Sequence, residues 1–283
     1  TLRILTCYLP PTSGRVRVAG KDILSESLAV RAAIGYLPET VPLYPEMRVE
    51  EFLRFRAALK GVPRGELRRR VGEAMERCGV MEVRRKPIGH VSRGYRQRVG
   101  LAEALVAAPP ILILDEPTTG LDPNQRRKVK ELVQELARRH TILFSSHILA
   151  EVEQVCTRVI VIHKGRIVGQ GTRQELVESL GGGRRLVVEA DGGAEPLLGL
   201  VGGLPGCGTP HVVASEGGYV RVEALLERGA DPRVEVFLWA RGGGRLLRTL
   251  AVESPSLEEI FARLTVSGGT AAEERAGRPE EAS

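Results

Sequence analysis

Ile111-Leu112-Ile113-Leu114-Asp115-Glu116-Pro117 is the stretch whose reading decides the fold. Four apolar residues run straight into two adjacent carboxylates and a proline. A continuous apolar run of this length predicts a strand buried on both faces of a parallel sheet. Open α/β sheets hold their ligands at the carboxyl ends of their strands, where Asp115 and Glu116 fall. Pro117 cannot extend the ladder, so the acids sit at the strand end and in the turn after it. By itself the stretch fits equally an ordinary core strand that ends in a solvated acidic turn. The flanking sequence has to separate the two.

Downstream, Thr118-Thr119-Gly120-Leu121-Asp122-Pro123 places a helix cap at Asp122 and a proline at the first helical position, and the helix runs to about Arg139. Thr141 to Ser146 then predicts a second buried strand, with His147 at its carboxyl end. A histidine there can be a plain surface residue. Following the acidic strand directly, it can also share that strand's site. Val159–His163 and Ile167–Gly171 read as a hairpin turning at Lys164-Gly165, and Thr172 to Leu180 as a capped helix. Gly181-Gly182-Gly183 reads as a linker.

Upstream, Thr1 to Leu9 reads as a short helix and Pro10 to Gly14 as a turn. Arg15 to Gly20 and Ile34 to Leu37 read as strands, the second closed by Pro38-Glu39. From about 48 to 107 the period is helical, which predicts a helical subdomain inserted into an α/β core. Within it, Ser92 caps a helix running to about Ala107, and Gly94 lets another group approach the backbone. A helix start with free N–H groups suits phosphate oxygens, although a plain capped helix has the same pattern.

Composition narrows the function. Hydrophobic residues make up 42% and charged residues 27%, as in ordinary globular proteins. No run approaches the roughly 18 apolar residues of a membrane span. Thr1 to Leu5 lack the basic-then-apolar pattern of a secretory signal, and Thr1 in place of Met predicts a processed or incomplete chain. Cys7, Cys78, Cys156 and Cys207 form no C-x-x-C pair, so zinc or a disulfide framework is not expected. The net charge of +6 tolerates an anionic partner such as a nucleotide. Aromatics at 4% leave little for base stacking, and no nucleic-acid partner is expected.

From Arg184 strands and helices alternate in short lengths. Strands are predicted at Arg185–Glu189, His211–Ala214, Tyr219–Val222, Val234–Ala240 and Leu247–Val252. Helices are predicted near Gly193–Leu200, Ala224–Ala230 and Ser256–Leu264. This is a small α+β domain of the split βαβ kind over about 184–266. The polar segment 267–283 reads as a disordered tail.

Taken in order, these features resemble the nucleotide-binding subunit of ABC transporters over about residues 1–180. Val91 to Gln97 is similar to the signature motif, Ile111 to Glu116 to Walker B, Gly120-Leu121-Asp122 to the D-loop and His147 to the switch histidine. Tyr36-Leu37-Pro38-Glu39 stands at the Q-loop position. The resemblance implies an α/β, P-loop NTPase-like domain with an inserted helical subdomain, followed by the small α+β domain. It implies ATP as substrate and Mg²⁺ as metal. Asp115 and Glu39 would serve the metal, Glu116 would polarise the attacking water, and His147 would orient that water against the γ-phosphate. Ser92, Arg93, Gly94, Gln97, Glu39 and Asp122 would touch the nucleotide or relay its state, with Ser92 and Gly94 acting on nucleotide held by the opposite subunit. One copy of each motif implies two subunits paired head-to-tail, a homodimer by preference. The resemblance further implies a membrane-spanning permease partner and a place at the cytoplasmic face of the membrane. The partner's helix is expected near Pro42, Tyr44, Met47 and Phe52, residues that suit a packed helical core equally well.

Two departures stand out. Glu39 replaces the family's usual Gln, which resembles exporter ATPases similar to gliding-motility and drug or polysaccharide-export subunits. The segment Ser254 to Phe261 resembles the same branch. The second departure is that G-x-x-x-x-G-K-S/T does not occur. Thr1 to Leu5 resembles the helix directly after that loop, so the expectation is a chain cut after Walker A and unable to hydrolyse ATP alone. The alternatives are a catalytically inactive regulatory subunit and a non-transport ABC ATPase.

Overall fold

The computed structural model describes residues 1–180, 183–227 and 229–265. In chain order it contains α1 (Leu2–Leu5), β1 (Arg17–Val18), β2 (Lys21–Asp22), α2 (Ser27–Ala33) and β3 (Ile34–Leu37). Three helices come next: α3 (Val49–Leu59), α4 (Leu67–Arg77) and α5 (Arg93–Leu105). After them lie β4 (Ile111–Asp115), α6 (Pro123–Leu136), β5 (Thr141–Ser145) and α7 (Leu149–Val155). The first compact unit closes at Val155, and a second runs from Cys156.

In the first unit β3, β4 and β5 form a parallel sheet in the order β3-β4-β5, with β4 central. Alternate residues of the apolar run serve different cores, as the two-residue period of a strand requires. Leu112 and Leu114 pack with Leu37, Phe52 and Leu101 on the side of the helical insertion. Ile113 faces the other way, onto Val18, Ile23, Val30 and Ile34. Gly35 of β3 has no room for a side chain, because a Cβ there would lie 2.3 Å from the Ala104 carbonyl oxygen of α5. α5 thereby lies directly against the sheet.

The insertion over about 48–107 is built on α3, α4 and α5, with 3₁₀ turns at Met81–Val83 and Ile88–His90 and an isolated bridge between Arg48 and Pro87. Its core contains one buried charge cluster. Glu103 of α5 is 7% exposed and receives Arg56 at 2.8 Å and Lys60 at 2.9 Å from α3 and the residue that ends it. Lys60 also donates to the Glu103 carbonyl at 2.7 Å. Burial pulls the Lys60 pKa down, while the Glu103 charge opposes that shift.

The second unit begins with a hairpin of β6 (Val159–His163) and β7 (Arg166–Gly171), then α8 (Arg173–Ser179). Then come β8 (Arg185–Asp191), α9 (Ala194–Gly203), β9 (His211–Glu216), β10 (Tyr219–Leu225), α10 (Arg233–Gly242), β11 (Leu247–Glu253) and α11 (257–265). The strand order β11-β8-β10-β9 with antiparallel pairing throughout is the split βαβ arrangement. Leu186, Val188 and Ala190 pack with Val220, Val222, Leu197, Val201 and Val236 as its core.

Several predicted boundaries move. Val234–Ala240 is helical, not a strand. Its β-branched and aromatic residues favour strand, but Val236 and Ala240 are buried four residues apart while Val234 and Phe237 are exposed, which is a helical period. Ala224 is not helical: it extends β10, continuing the inward alternation of Val220 and Val222. The strand predicted from Arg15 shrinks to Arg17–Val18. The hairpin and α8, read from sequence as the end of the first domain, belong instead to the second unit. Arg173 donates to the Pro255 carbonyl at 2.9 Å, and Gly169 lies against Leu264. Gly181, Gly182 and the segment 267–283 lie outside the described residues.

Candidate active site

The site is built at the carboxyl ends of β4 and β5. Parallel pairing puts Asp115 level with Ser145. The Ser145 hydroxyl donates to Asp115 Oδ1 at 2.7 Å and accepts the Glu116 N–H at 3.1 Å. The Ser145 carbonyl accepts the same N–H at 3.2 Å. One residue of β5 therefore fixes both acids. Glu116 has φ of +50°. A non-glycine residue in that left-handed region costs about 1–2 kcal/mol, and the Ser145 contacts help to hold it there. The bend ends the strand at Asp115, and the Glu116 carboxylate meets Thr119 and His147.

His147 lies two residues past the end of β5. Its Nδ1 lies 2.8 Å from Glu116 Oε2, which also accepts from the Thr119 hydroxyl at 3.2 Å. The Glu116 side chain is 18% exposed and that of His147 68%, so the pair lies at the mouth of the site with the acid on the inside. Close by, the Thr118 hydroxyl donates to buried Glu151 of α7 at 2.6 Å. Tyr36 of β3 lies near Asp115. Burial raises the phenol's pKa first, and the Asp115 charge raises it further.

The other sequence-selected residues fall into two places. Glu39 is exposed on the loop after β3, at the sheet end where Asp115 emerges. Ser92, Arg93, Gly94, Asp122 and Gln125 gather where the starts of α5 and α6 meet. Ser92 caps α5 by accepting from the Tyr95 N–H at 3.4 Å, and Asp122 caps α6 by accepting from the Gln125 N–H at 2.9 Å. A Cβ on Gly94 would meet Gln125 Oε1 at 2.1 Å, and one on Gly120 would meet Arg93 Cζ at 2.2 Å. The start of α5 and the turn before α6 are thus packed against each other. Gln97 is 8% exposed, and its Nε2 has no hydrogen-bond partner among the described residues. Its side chain is therefore buried within α5's packing, unlike exposed Ser92 and Arg93.

Sequence reading passed over Ser145, Tyr36, Thr119 and Gln125 as parts of the site. Ser145 carried the only usable signal, a hydroxyl closing an apolar strand next to the acidic one. The others are brought in by pairing and helix packing, which one sequence does not display.

Asp115 supplies a hard carboxylate oxygen of the kind Mg²⁺ takes. That ion completes an octahedral shell with water and phosphate oxygens more readily than with an all-protein cage. The donor set fits Mg²⁺.

A family model described as ABC transporter matches residues 1–119. The Bacillus subtilis ABC transporter ATP-binding protein YxlF is 40% identical over 62% of this chain and 58% of its own length. The Nod factor export ATP-binding protein I of Rhizobium is 33% identical over 93% of this chain and 82% of that protein. A solved structure described as the ATP-binding subunit of an ABC transporter superposes with a TM-score of 0.58 at 30% identity, covering 64% of this chain and 75% of that one. Two adjacent strand-end acids, a histidine bound to the second, and a relative matched over most of its length agree: the chain belongs to the ATP-binding subunits of ABC transporters.

Proposed function

We propose that this chain is the ATP-hydrolysing subunit of an exporter and works as a head-to-tail dimer beneath a separate membrane-spanning partner. The carrying observation is the 2.8 Å contact between His147 Nδ1 and Glu116 Oε2, set beside Asp115 by Ser145. Asp115, with Glu39 nearby, would hold Mg²⁺. When bound, the ion neutralises charge on the β- and γ-phosphates. Glu116 accepts a proton from the attacking water, and the Thr119 hydroxyl and His147 fix its carboxylate for that task. His147 has a constrained part. Its Nε2, away from the Glu116 contact, would meet the γ-phosphate.

Ser92 and Gly94 lie at the start of α5 and would close on nucleotide carried by the opposite subunit, with Asp122 beside them in the same interface. The membrane partner would dock on Tyr44, Phe55 and Leu59, which are 42%, 40% and 64% exposed. Phe52, expected in that surface, is 1% exposed and belongs to the core, where its ring meets Tyr44 edge-on at 5.9 Å. Among the described residues no helix is long and apolar enough to cross a membrane. The proposal assigns the membrane path to the partner. The export role named for the Nod factor relative and the Leu-Pro-Glu sequence at 37–39 favour export at the cytoplasmic face.

The test uses the full-length expressed product. Glu116→Gln in that product is expected to abolish turnover, keep ATP binding and trap a dimer on a sizing column. If turnover persists, Glu116 is not the base. If the product binds no ATP, the regulatory reading replaces this one.

A further inference from the structure

At the opposite end of the sheet from Asp115 and Glu116, the structure contains a cleft of about 250 Å³. It lies where the end of α4, the turn after α5 and the entry to β5 meet. Arg70 and Arg77 line it from α4, Ala108 from the turn, and Arg139 and His140 from the segment before β5. Arg138 extends it into an adjoining hollow of about 170 Å³ that shares Arg77, Arg139 and His140. The carboxylates at its rim do not neutralise this set. Glu73 is engaged by Arg69 at 2.8 Å, and Arg70 holds Glu66 at 3.0 Å. Among the described residues, Arg77, Arg138 and Arg139 have no carboxylate within ion-pair distance. Glu135 is the remaining acid in the lining.

Basic residues often gather at helix carboxyl ends, where they offset the negative pole of the dipole. Arg77 ends α4, and Arg138 and Arg139 come just after α6. That effect accounts for about half a charge at each helix end, so two converging ends offset about one of the three guanidinium charges and Glu135 about one more, leaving about one. A surplus of positive charge therefore faces the cleft. His140 is fixed within it, with Nδ1 2.7 Å from the Pro109 carbonyl, so its Nε2 is turned away from that bond. Pockets for drug-sized ligands run from about 300 Å³ upward. The cleft suits a compact anion better than a whole nucleotide.

We propose that this cleft binds a phosphate or pyrophosphate group, free or as the phosphomonoester of a lipid headgroup, through Arg77 and Arg139. Planar guanidinium forks match phosphate oxygens in pairs, and two of them on different elements would clamp one anion between α4 and the start of β5. Because the cleft sits at the root of β5, an occupant would brace the strand that carries Ser145, with His147 just beyond it, at its other end.

The test is calorimetric titration of the chain with inorganic pyrophosphate at fixed ionic strength, and flotation with phosphatidylcholine vesicles with and without phosphatidic acid. Arg77→Gln/Arg139→Gln serves as the comparison chain, with Arg64→Gln/Arg68→Gln as a charge-matched control. Loss of the two guanidinium groups is expected to weaken pyrophosphate at least about tenfold, with the control unchanged. If pyrophosphate fails and only phosphatidic acid vesicles bind, with the same dependence on Arg77 and Arg139, the source is lipid. If neither binds, or both pairs weaken binding equally, the surface attracts anions only by net charge and the proposal falls. Thermal unfolding of each variant checks folding. ATP turnover of the full-length product measures the hydrolytic site separately, since Arg77 and Arg139 lie at the far end of the sheet from it.

Discussion

His147 Nδ1 sits 2.8 Å from Glu116 Oε2, although 31 positions separate the two residues in the chain. Each residue stands just past the end of a parallel strand, and the Asp115–Ser145 register brings those ends level. His147→Ala is expected to lower turnover of the full-length product about 100-fold or more, with ATP affinity changed far less. Steady-state turnover beside equilibrium nucleotide binding checks this. Equal losses in both would make His147 a binding residue only.

Removing the buried acid of the helical insertion should be severe. Glu103→Gln leaves Arg56 and Lys60 without their shared carboxylate, and breaking a buried ion pair costs about 3–5 kcal/mol. Burial already lowers the Lys60 pKa, and losing Glu103 lowers it further. Between that lowered value and the ordinary lysine value of 10.5 the unfolded chain binds more protons than the folded one. The variant's deficit should therefore shrink as pH rises toward 10.5, as urea unfolding at pH 7 and pH 10 would measure.

Gly35→Ala tests the contact between β3 and α5. The added methyl would start 2.3 Å from the Ala104 carbonyl oxygen, a backbone atom that cannot rotate away. Overpacking of this kind costs about 1–3 kcal/mol. A melting temperature equal to that of the parent would show that the helix yields.

Cys78 is fully buried, and desolvation pushes its thiol pKa up to about 12. The folded protein should leave Cys78 unalkylated by iodoacetamide at pH 8 while denatured protein reacts, because the thiolate is the reactive form. Mass spectrometry of the Cys78 peptide reads the difference. Modification of native protein at the denatured rate would contradict the buried environment.

Glu259 should make the second unit sensitive to acid. The Ser256 N–H reaches its Oε2 at 2.9 Å and Arg185 its Oε1 at 2.8 Å. The backbone hydrogen bond first, and then the Arg185 charge, hold its pKa below the usual 4.5. A carboxylate with a depressed pKa contributes stability above its ordinary value and loses it as pH falls through the folded one. Glu259→Gln should therefore narrow the stability difference between pH 6 and pH 3, followed by circular dichroism of thermal unfolding. No change in that difference would remove Glu259 from the acid response.

The sequence alone determined the order of the chemistry. An unbroken apolar run, two acids, a proline, a capped helix and a histidine-ended strand come from period and turn chemistry, which are local. It also determined that the second unit would contain a small α+β domain, because its strands and helices are short and alternate. What it could not assign were features set by neighbours distant in the chain. Val234–Ala240 has the composition of a strand, and only packing on one face of a sheet selected the helical period. Phe52 looked as suited to a partner as to a core until α3 was seated on α5. Ser145 became a site residue through register, because parallel pairing alone puts its hydroxyl between Asp115 and the backbone of Glu116. The basic cleft arises from three segments far apart in sequence, none of them basic enough alone to mark it. Local pattern reports what each segment prefers, whereas hydrogen-bond register and helix packing decide which side chains meet.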